Sequence, residues 1–229
     1  MQINTGVVQE TVWRVDGLRA AWIACSPTSL PEPGQYLSAW SLEDPFAPLA
    51  TILFAGEVLE DRFLALPPLP ADWQPGMHLA LRGPLGRGFS LPEAARHIAL
   101  AAWGDTCERL IPLARQALQS GGAVALFTDA RLPALPSAME ANPLSNLAEA
   151  VPWADYLAVE VDRSTLPQLR SKLGLRPGER LAYPAQALYL VEMPCAGLAA
   201  CGACWAPSRR SILYACSDGP VFSLDDLDW

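Results

Sequence analysis

The sequence predicts an antiparallel β-barrel, then a small parallel α/β unit, then a C-terminal cysteine lobe. Three observations carry this. The first 90 or so residues hold short apolar runs, broken at roughly ten-residue intervals by Gly, Pro and Asp turn signals. From His97 onward, all-apolar runs alternate with helical stretches, as a parallel sheet covered on both faces requires. Four of the six cysteines then crowd into the stretch from Cys195 to Cys216. The expected divisions are a barrel over 1–92, an α/β unit over 93–185 and the cysteine lobe over 186–229.

Each element has its own signal. The barrel strands are expected at Val7–Val15, Arg19–Cys25, Gln35–Trp40, Ala50–Val58, Phe63–Leu66 and His78–Leu81, with breaks at Asp16-Gly17, Pro31 to Gly34, Asp44-Pro45 and Gln74 to Gly76. His97–Trp103 reads as a buried parallel strand. A helix is expected from Asp105 to Gln119, with Asp105 as its cap, Glu108 completing a capping-box pattern and Gly121-Gly122 ending it. Strands at Ala123–Thr128, Tyr156–Val161 and Ala187–Glu192 alternate with helices at Asn142–Ala150 and Leu166–Leu173, the latter capped by Ser164. Ser211–Ala215 reads as one arm of a hairpin that returns Cys216 to the other cysteines.

Composition excludes several functions. Hydrophobic residues make up 51% and charged residues 17% of the 229 residues, so the chain has the material for a packed core. A net charge of −8 opposes binding to nucleic acid, which needs a basic surface. No run approaches the roughly 20 apolar residues of a membrane span, so no membrane partner is expected. The start, Met-Gln-Ile-Asn-Thr-Gly, lacks the basic and apolar regions of a signal peptide, so the expectation is a cytoplasmic protein with reduced thiols. No nucleophile–base or carboxylate-pair pattern marks a hydrolase, and no catalytic residue is assigned.

The cysteines follow C-x5-C-x2-C-x11-C: Cys195, Cys201, Cys204 and Cys216. Three share a loop of Ala and Gly, whose small residues let backbone wrap an inorganic core and turn N–H groups toward sulfur. This three-plus-one pattern points to a [2Fe–2S] cluster. A four-cysteine zinc site, which usually comes as two separated pairs, is the alternative. Cys107 and Cys25 read as buried core residues, and Trp205, next to Cys204, as a shield for the metal site.

Three stretches carry a resemblance: Pro33-Gly34-Gln35-Tyr36, then Gly83-Pro84-Leu85-Gly86-Arg87-Gly88-Phe89, then Cys216-Ser-Asp-Gly-Pro-Val-Phe222. In this order, over the whole chain, the sequence resembles the ferredoxin–NADP reductase superfamily, and within it the electron-transfer subunits of type B dihydroorotate dehydrogenases. The resemblance implies a [2Fe–2S] cluster on the four cysteines and a flavoprotein catalytic subunit as partner. It also implies assembly as a homodimer within a heterotetramer and a place in pyrimidine biosynthesis. An FAD-like site would involve Thr51, Gly83 and Gly86. No substrate chemistry belongs to this chain itself on that reading. The alternative is a non-enzymatic binding protein with a zinc lobe.

The departures from the family pattern are specific. The first two cysteines are one residue further apart than the usual C-x4-C. The family's arginine before the hydroxyl residue that Thr51 replaces is missing, which leaves an FAD pyrophosphate without its bidentate partner unless Arg82 or Arg87 supplies one in space. The glycine-rich nucleotide turn is reduced to Gly104, followed by Asp105 and Glu108 at the positive end of a helix, where they repel a pyrophosphate. NAD(P)H is therefore not expected as a cofactor.

Overall fold

The computed structural model describes residues 3–14, 16–44, 49–209 and 211–229; Val15 and Pro45, the ends of an expected strand and an expected break, lie outside them. Six strands, β1 (Ile3–Trp13), β2 (Arg19–Ala24), β3 (Tyr36–Ser41), β4 (Thr51–Val58), β5 (Arg62–Ala65) and β6 (His78–Leu85), close a barrel in the order β1-β2-β5-β4-β3-β6. The period-2 alternation of each strand decides what fills it. Leu37, Ala39, Leu53, Ala55, Leu79 and Leu81 meet Val8, Ile23, Phe63 and Trp73 in one core. Their alternates on β3, Tyr36, Ser38 and Trp40, face outward, toward the rest of the chain.

The α/β unit supplies β7 (His97–Ala102), β8 (Ala123–Thr128), β9 (Met139–Asn142), β10 (Tyr156–Asp162) and β11 (Ala185–Leu190), with helices α1 (Ile111–Gln119), α2 (Leu147–Ala150) and α3 (Leu169–Lys172). A hairpin of β12 (Trp205–Ala206) and β13 (Leu213–Tyr214) follows, and then β14 (Val221–Ser223). The sheet order is β14-β11-β10-β7-β8-β9, parallel except for β14, which runs antiparallel to β11. The sheet therefore takes its strand β14 from beyond the cysteines. Cys204 and Cys216 belong to the same core as Leu157, Val159 and Phe222 on one face of the sheet. Among the described residues no helix is long and apolar enough to cross a membrane.

Four local expectations need correction. The helix expected from Asp105 begins as a 3-10 turn at Glu108–Leu110 and becomes α-helical at Ile111, without a side-chain cap from Asp105. Pro112 is the reason: it has no amide to donate inside a helix begun at Asp105, but it fits the first turn of one begun at Ile111. The stretch expected to be helical from Asn142 opens as the end of β9, because Pro143 biases the residue before it to extended backbone; a 3-10 turn at Leu144–Asn146 and α2 follow. Before α3, Asp162 and not Ser164 organises the turn, accepting the amides of Ser164 and Thr165 at 2.8 Å each. The acidic C-terminal run Asp225 to Trp229, whose charge predicts a solvated end, is instead anchored: Leu227 is fully buried and Trp229 donates from Nε1 to the Leu224 carbonyl at 2.6 Å.

Candidate metal centre

The expected hairpin forms. The amide of Ala215 donates to the carbonyl of Cys204 at 2.8 Å, so the chain returns Cys216 beside Cys204 at the hairpin's base. Both are buried, Cys195 is half-buried and Cys201 is exposed. The loop between the first and third cysteines is wound by residues in left-handed conformation: Ala196 (φ 52°), Gly197 (φ 80°), Ala199 (φ 55°) and Gly202 (φ 68°). The glycines adopt this winding freely, whereas Ala196 and Ala199 each carry about 1–2 kcal/mol of left-handed strain.

The winding turns amides inward. The amides of Leu198, Ala200 and Cys201 donate to the sulfur of Cys195, and the amide of Ala199 to that of Cys216. Burial pushes the Cys195 thiol up, but these amides and the Cys201 thiol outweigh it and bring it down to about 6. Burial, and then the neighbouring Cys204 thiol, push Cys216 up to about 12. The thiols stand as two contacting pairs, Cys195 with Cys201 and Cys204 with Cys216, and Cys195 and Cys216 feel each other electrostatically. Among the described residues no three His, Cys, Asp or Glu side chains are placed to hold a single metal ion. Four thiols in one loop and hairpin, with backbone N–H groups turned toward two of the sulfurs, form a donor set chemically suited to an iron–sulfur group.

The three motifs of the resemblance meet in one joint beside this loop. The amide of Arg87 donates to the Gly219 carbonyl at 2.5 Å, and that of Phe89 to the Pro33 carbonyl at 2.8 Å. The hydroxyl of Tyr36 donates to the Cys216 carbonyl at 3.0 Å. Gly86 has φ +75°, and a Cβ there would lie 2.6 Å from the Gly219 carbonyl oxygen, so the joint closes only with glycine.

Residues 192–228 match the model of the iron-sulfur cluster binding domain of dihydroorotate dehydrogenase B. The match is confined to the C-terminal lobe that carries the four cysteines. No curated protein matches the chain significantly. Among solved structures, the chain is similar throughout its length to an NADH-dependent reduced ferredoxin-NADP oxidoreductase described for flavin-based electron bifurcation, at 17% identity, covering 91% of that chain with a TM-score of 0.74. The ferredoxin reductase of carbazole 1,9a-dioxygenase matches at 14% identity over 80% of this chain and 67% of its own, TM-score 0.61. Phthalate dioxygenase reductase matches at 11% identity over 83% and 70%, TM-score 0.58. These likenesses establish a reductase-like fold around the iron–sulfur lobe.

The other predicted residues are dispersed. Thr51 lines an apolar cleft of about 650 Å³ between β4 and the carboxyl end of β11, with Ile52, Phe54, Pro67, Leu190 and Met193. Gly83 and Gly86 do not line it: Gly83 packs against Leu37, and Gly86 lies in the joint. The cleft sits beyond the carboxyl end of β11, on the side where open α/β sheets take ligands. Its one cation among the described residues, Arg109, is paired with Glu160 at 2.7 Å. Neither Arg82 nor Arg87 lines it. The cleft is mostly apolar and, among the described residues, its lining offers a pyrophosphate no unpaired cation. Burial raises the Glu160 carboxyl, with Arg109 opposing. Sequence reasoning missed this pair, although an acid inside the apolar run Tyr156–Val161 is itself a signal.

At the degenerate nucleotide turn, Arg14 from the barrel reaches across. It forms an ion pair with Glu108 and donates to Thr106 Oγ1 at 3.2 Å and to Asp16 at 2.9 Å. Cys107, beside this turn, is fully buried, and burial followed by the Glu160 charge pushes its thiol up to about 11. Trp205, read as a shield, is 44% exposed, with the Arg163 guanidinium 4.7 Å from its ring centroid.

Proposed function

We propose that this chain is an electron-transfer subunit that relays single electrons through a [2Fe–2S] cluster held by Cys195, Cys201, Cys204 and Cys216, to or from a flavoprotein of the dihydroorotate dehydrogenase kind. The observation that carries this is the pairing of the four thiols under inward-turned amides, in the segment that matches the cluster-binding domain. When bound, the cluster supplies a one-electron site. The chain's own residues have three tasks. The amides of Leu198, Ala200 and Cys201 stabilise negative charge on sulfur. The hairpin of β12 and β13 fixes Cys204 against Cys216. The exposed edge at Cys201 leaves a short path for an electron from outside.

On this reading the catalytic chemistry, dihydroorotate oxidation in pyrimidine biosynthesis, belongs to the cytoplasmic partner, and the complex is a heterotetramer with two copies of this chain. FAD has no part in this reading, since among the described residues the cleft's only cation, Arg109, is engaged by Glu160. Nor does the Arg14–Glu108 turn accept a nicotinamide dinucleotide; calorimetric titration with NADH is expected to show no saturable heat, and micromolar affinity would overturn this. The relay itself is tested by mixing the oxidised protein, without oxygen, with a dihydroorotate-reduced catalytic subunit from the same organism. Rapid bleaching of the protein's visible absorption supports the proposal. No bleaching with a competent catalytic subunit contradicts the choice of partner.

A further inference from the structure

Arg82 is the least expected residue near the thiols. It pairs directly with Ser38 across β6 and β3, so both side chains share the outer face of the barrel beneath the cysteine loop. Arg82 is 3% exposed and Ser38 is fully buried. Nε and Nη2 of Arg82 and the hydroxyl of Ser38 have no hydrogen-bond partner. Arg82 takes part in none of the ion pairs among the described residues.

What surrounds it is the cysteine loop. A Cβ built on Gly197 would lie 3.2 Å from Arg82 Nη2 and would collide with the Tyr36 hydroxyl. Tyr36 and Arg82 therefore both abut the cysteine loop at Gly197, and the Tyr36 hydroxyl donates to the Cys216 carbonyl. The Trp40 ring, 5.9 Å from the guanidinium carbon, flanks the charge without neutralising it. An unpaired guanidinium at this depth is strongly unfavourable unless an anion compensates it. The anion-forming groups that, like Arg82, act electrostatically on Tyr36 are the thiols of Cys195, Cys204 and Cys216.

We propose that Arg82, with the Ser38 hydroxyl beside it, is the internal counter-cation of the iron–sulfur site and raises the reduction potential of the cluster. The inference rests on the cluster reading above. Four thiolates and two sulfides around two ferric ions carry a net charge of −2. One electron from a reduced flavin converts one ferric ion to ferrous and makes the charge −3; no bond breaks and no proton moves. A fixed positive charge nearby favours the more negative state, and net charge and burial are among the factors that set such potentials. The unpartnered Ser38 hydroxyl is free to turn its O–H dipole the same way. Arg82 thus positions charge and does not touch reacting atoms.

The test is a mediated redox titration of the full chain, followed by visible and paramagnetic resonance spectra, for the wild type, Arg82→Met, Arg82→Gln and Arg82→Lys. The expected result is a shift to more negative potential in the Met and Gln variants and a largely retained potential in the Lys variant. An unchanged potential in Met or Gln, with iron and sulfide content intact, overturns the proposal. Should Met and Gln lose the cluster while Lys keeps it, the positive charge is confirmed as the requirement. Loss from all three assigns Arg82 a packing role and overturns it. Wild-type protein lacking iron and sulfide would instead sink the cluster reading itself, and this inference with it.

Discussion

The Tyr36 hydroxyl reaches out of the barrel to the carbonyl of Cys216, 3.0 Å away, and joins strand β3 to the last cysteine of the lobe. Burial, and then the neighbouring Cys216, hold the phenol pKa above its ordinary range, so the hydroxyl remains a donor at any working pH. Tyr36→Phe leaves a buried carbonyl without a partner and is expected to cost about 1–3 kcal/mol. Denaturant unfolding measures the loss, and iron retained per chain should fall with it.

Gly197 has φ +80° and sits directly over that hydroxyl. Gly197→Ala combines left-handed strain of about 1–2 kcal/mol with a collision against Tyr36. The expected outcome is a protein that folds but holds little metal, read as near-native far-ultraviolet dichroism with a large drop in bound iron. A variant that keeps wild-type iron would show that the loop can move away from the barrel.

The ion pair of Arg109 and Glu160 is nearly buried, with side-chain exposures of 13% and 2%. Arg109→Met strands a carboxylate in the core and should destabilise by about 3–5 kcal/mol, whereas a further Glu160→Leu change should recover most of this. The pH sign follows from burial, which raises the Glu160 pKa above its ordinary 4.5 despite Arg109. A raised carboxyl pKa favours folding fully below the ordinary value, and the contribution is lost as pH rises through the raised one. Glu160→Gln should therefore flatten the fall in stability on the alkaline side of pH 4.5; denaturant midpoints across that window measure it.

Burial pushes both Cys25 and Cys107 up to about 11, with the charges of Asp61 and Glu160 respectively adding to it. At pH 8 both are almost entirely thiols and unreactive. Iodoacetamide on the native protein should leave them unmodified and label them only after unfolding. Labelling of Cys107 in the folded state would restore it as a reactive group.

Much of this architecture was legible in the sequence because its signals are local. Alternation in Leu37, Ala39, Leu53 and Ala55 marks barrel strands, and the apolar run from His97 marks a doubly covered one. The hairpin that returns Cys216 was legible from the cysteine spacing. What escaped was relational. Nothing near Arg14 announces Glu108, 94 positions away, nor does the sequence around Arg82 announce the cysteine loop. The motif Cys216 to Phe222 reads as a ligand segment, yet most of it is structural: Val221–Ser223 forms the edge strand of the sheet, and Gly219 accepts the amide of Arg87. Helix starts were misread where a proline, Pro112 or Pro143, overruled the nearby capping residues.

The central claim is that the paired thiols hold a two-iron cluster. It is tested most directly by purifying the protein without oxygen and assaying iron, acid-labile sulfide and zinc on the sample that gives the visible spectrum. The account predicts a brown protein with about two irons and two sulfides per chain, lost on changing Cys204 or Cys216 to Ser. A colourless protein holding one zinc and no sulfide would contradict it.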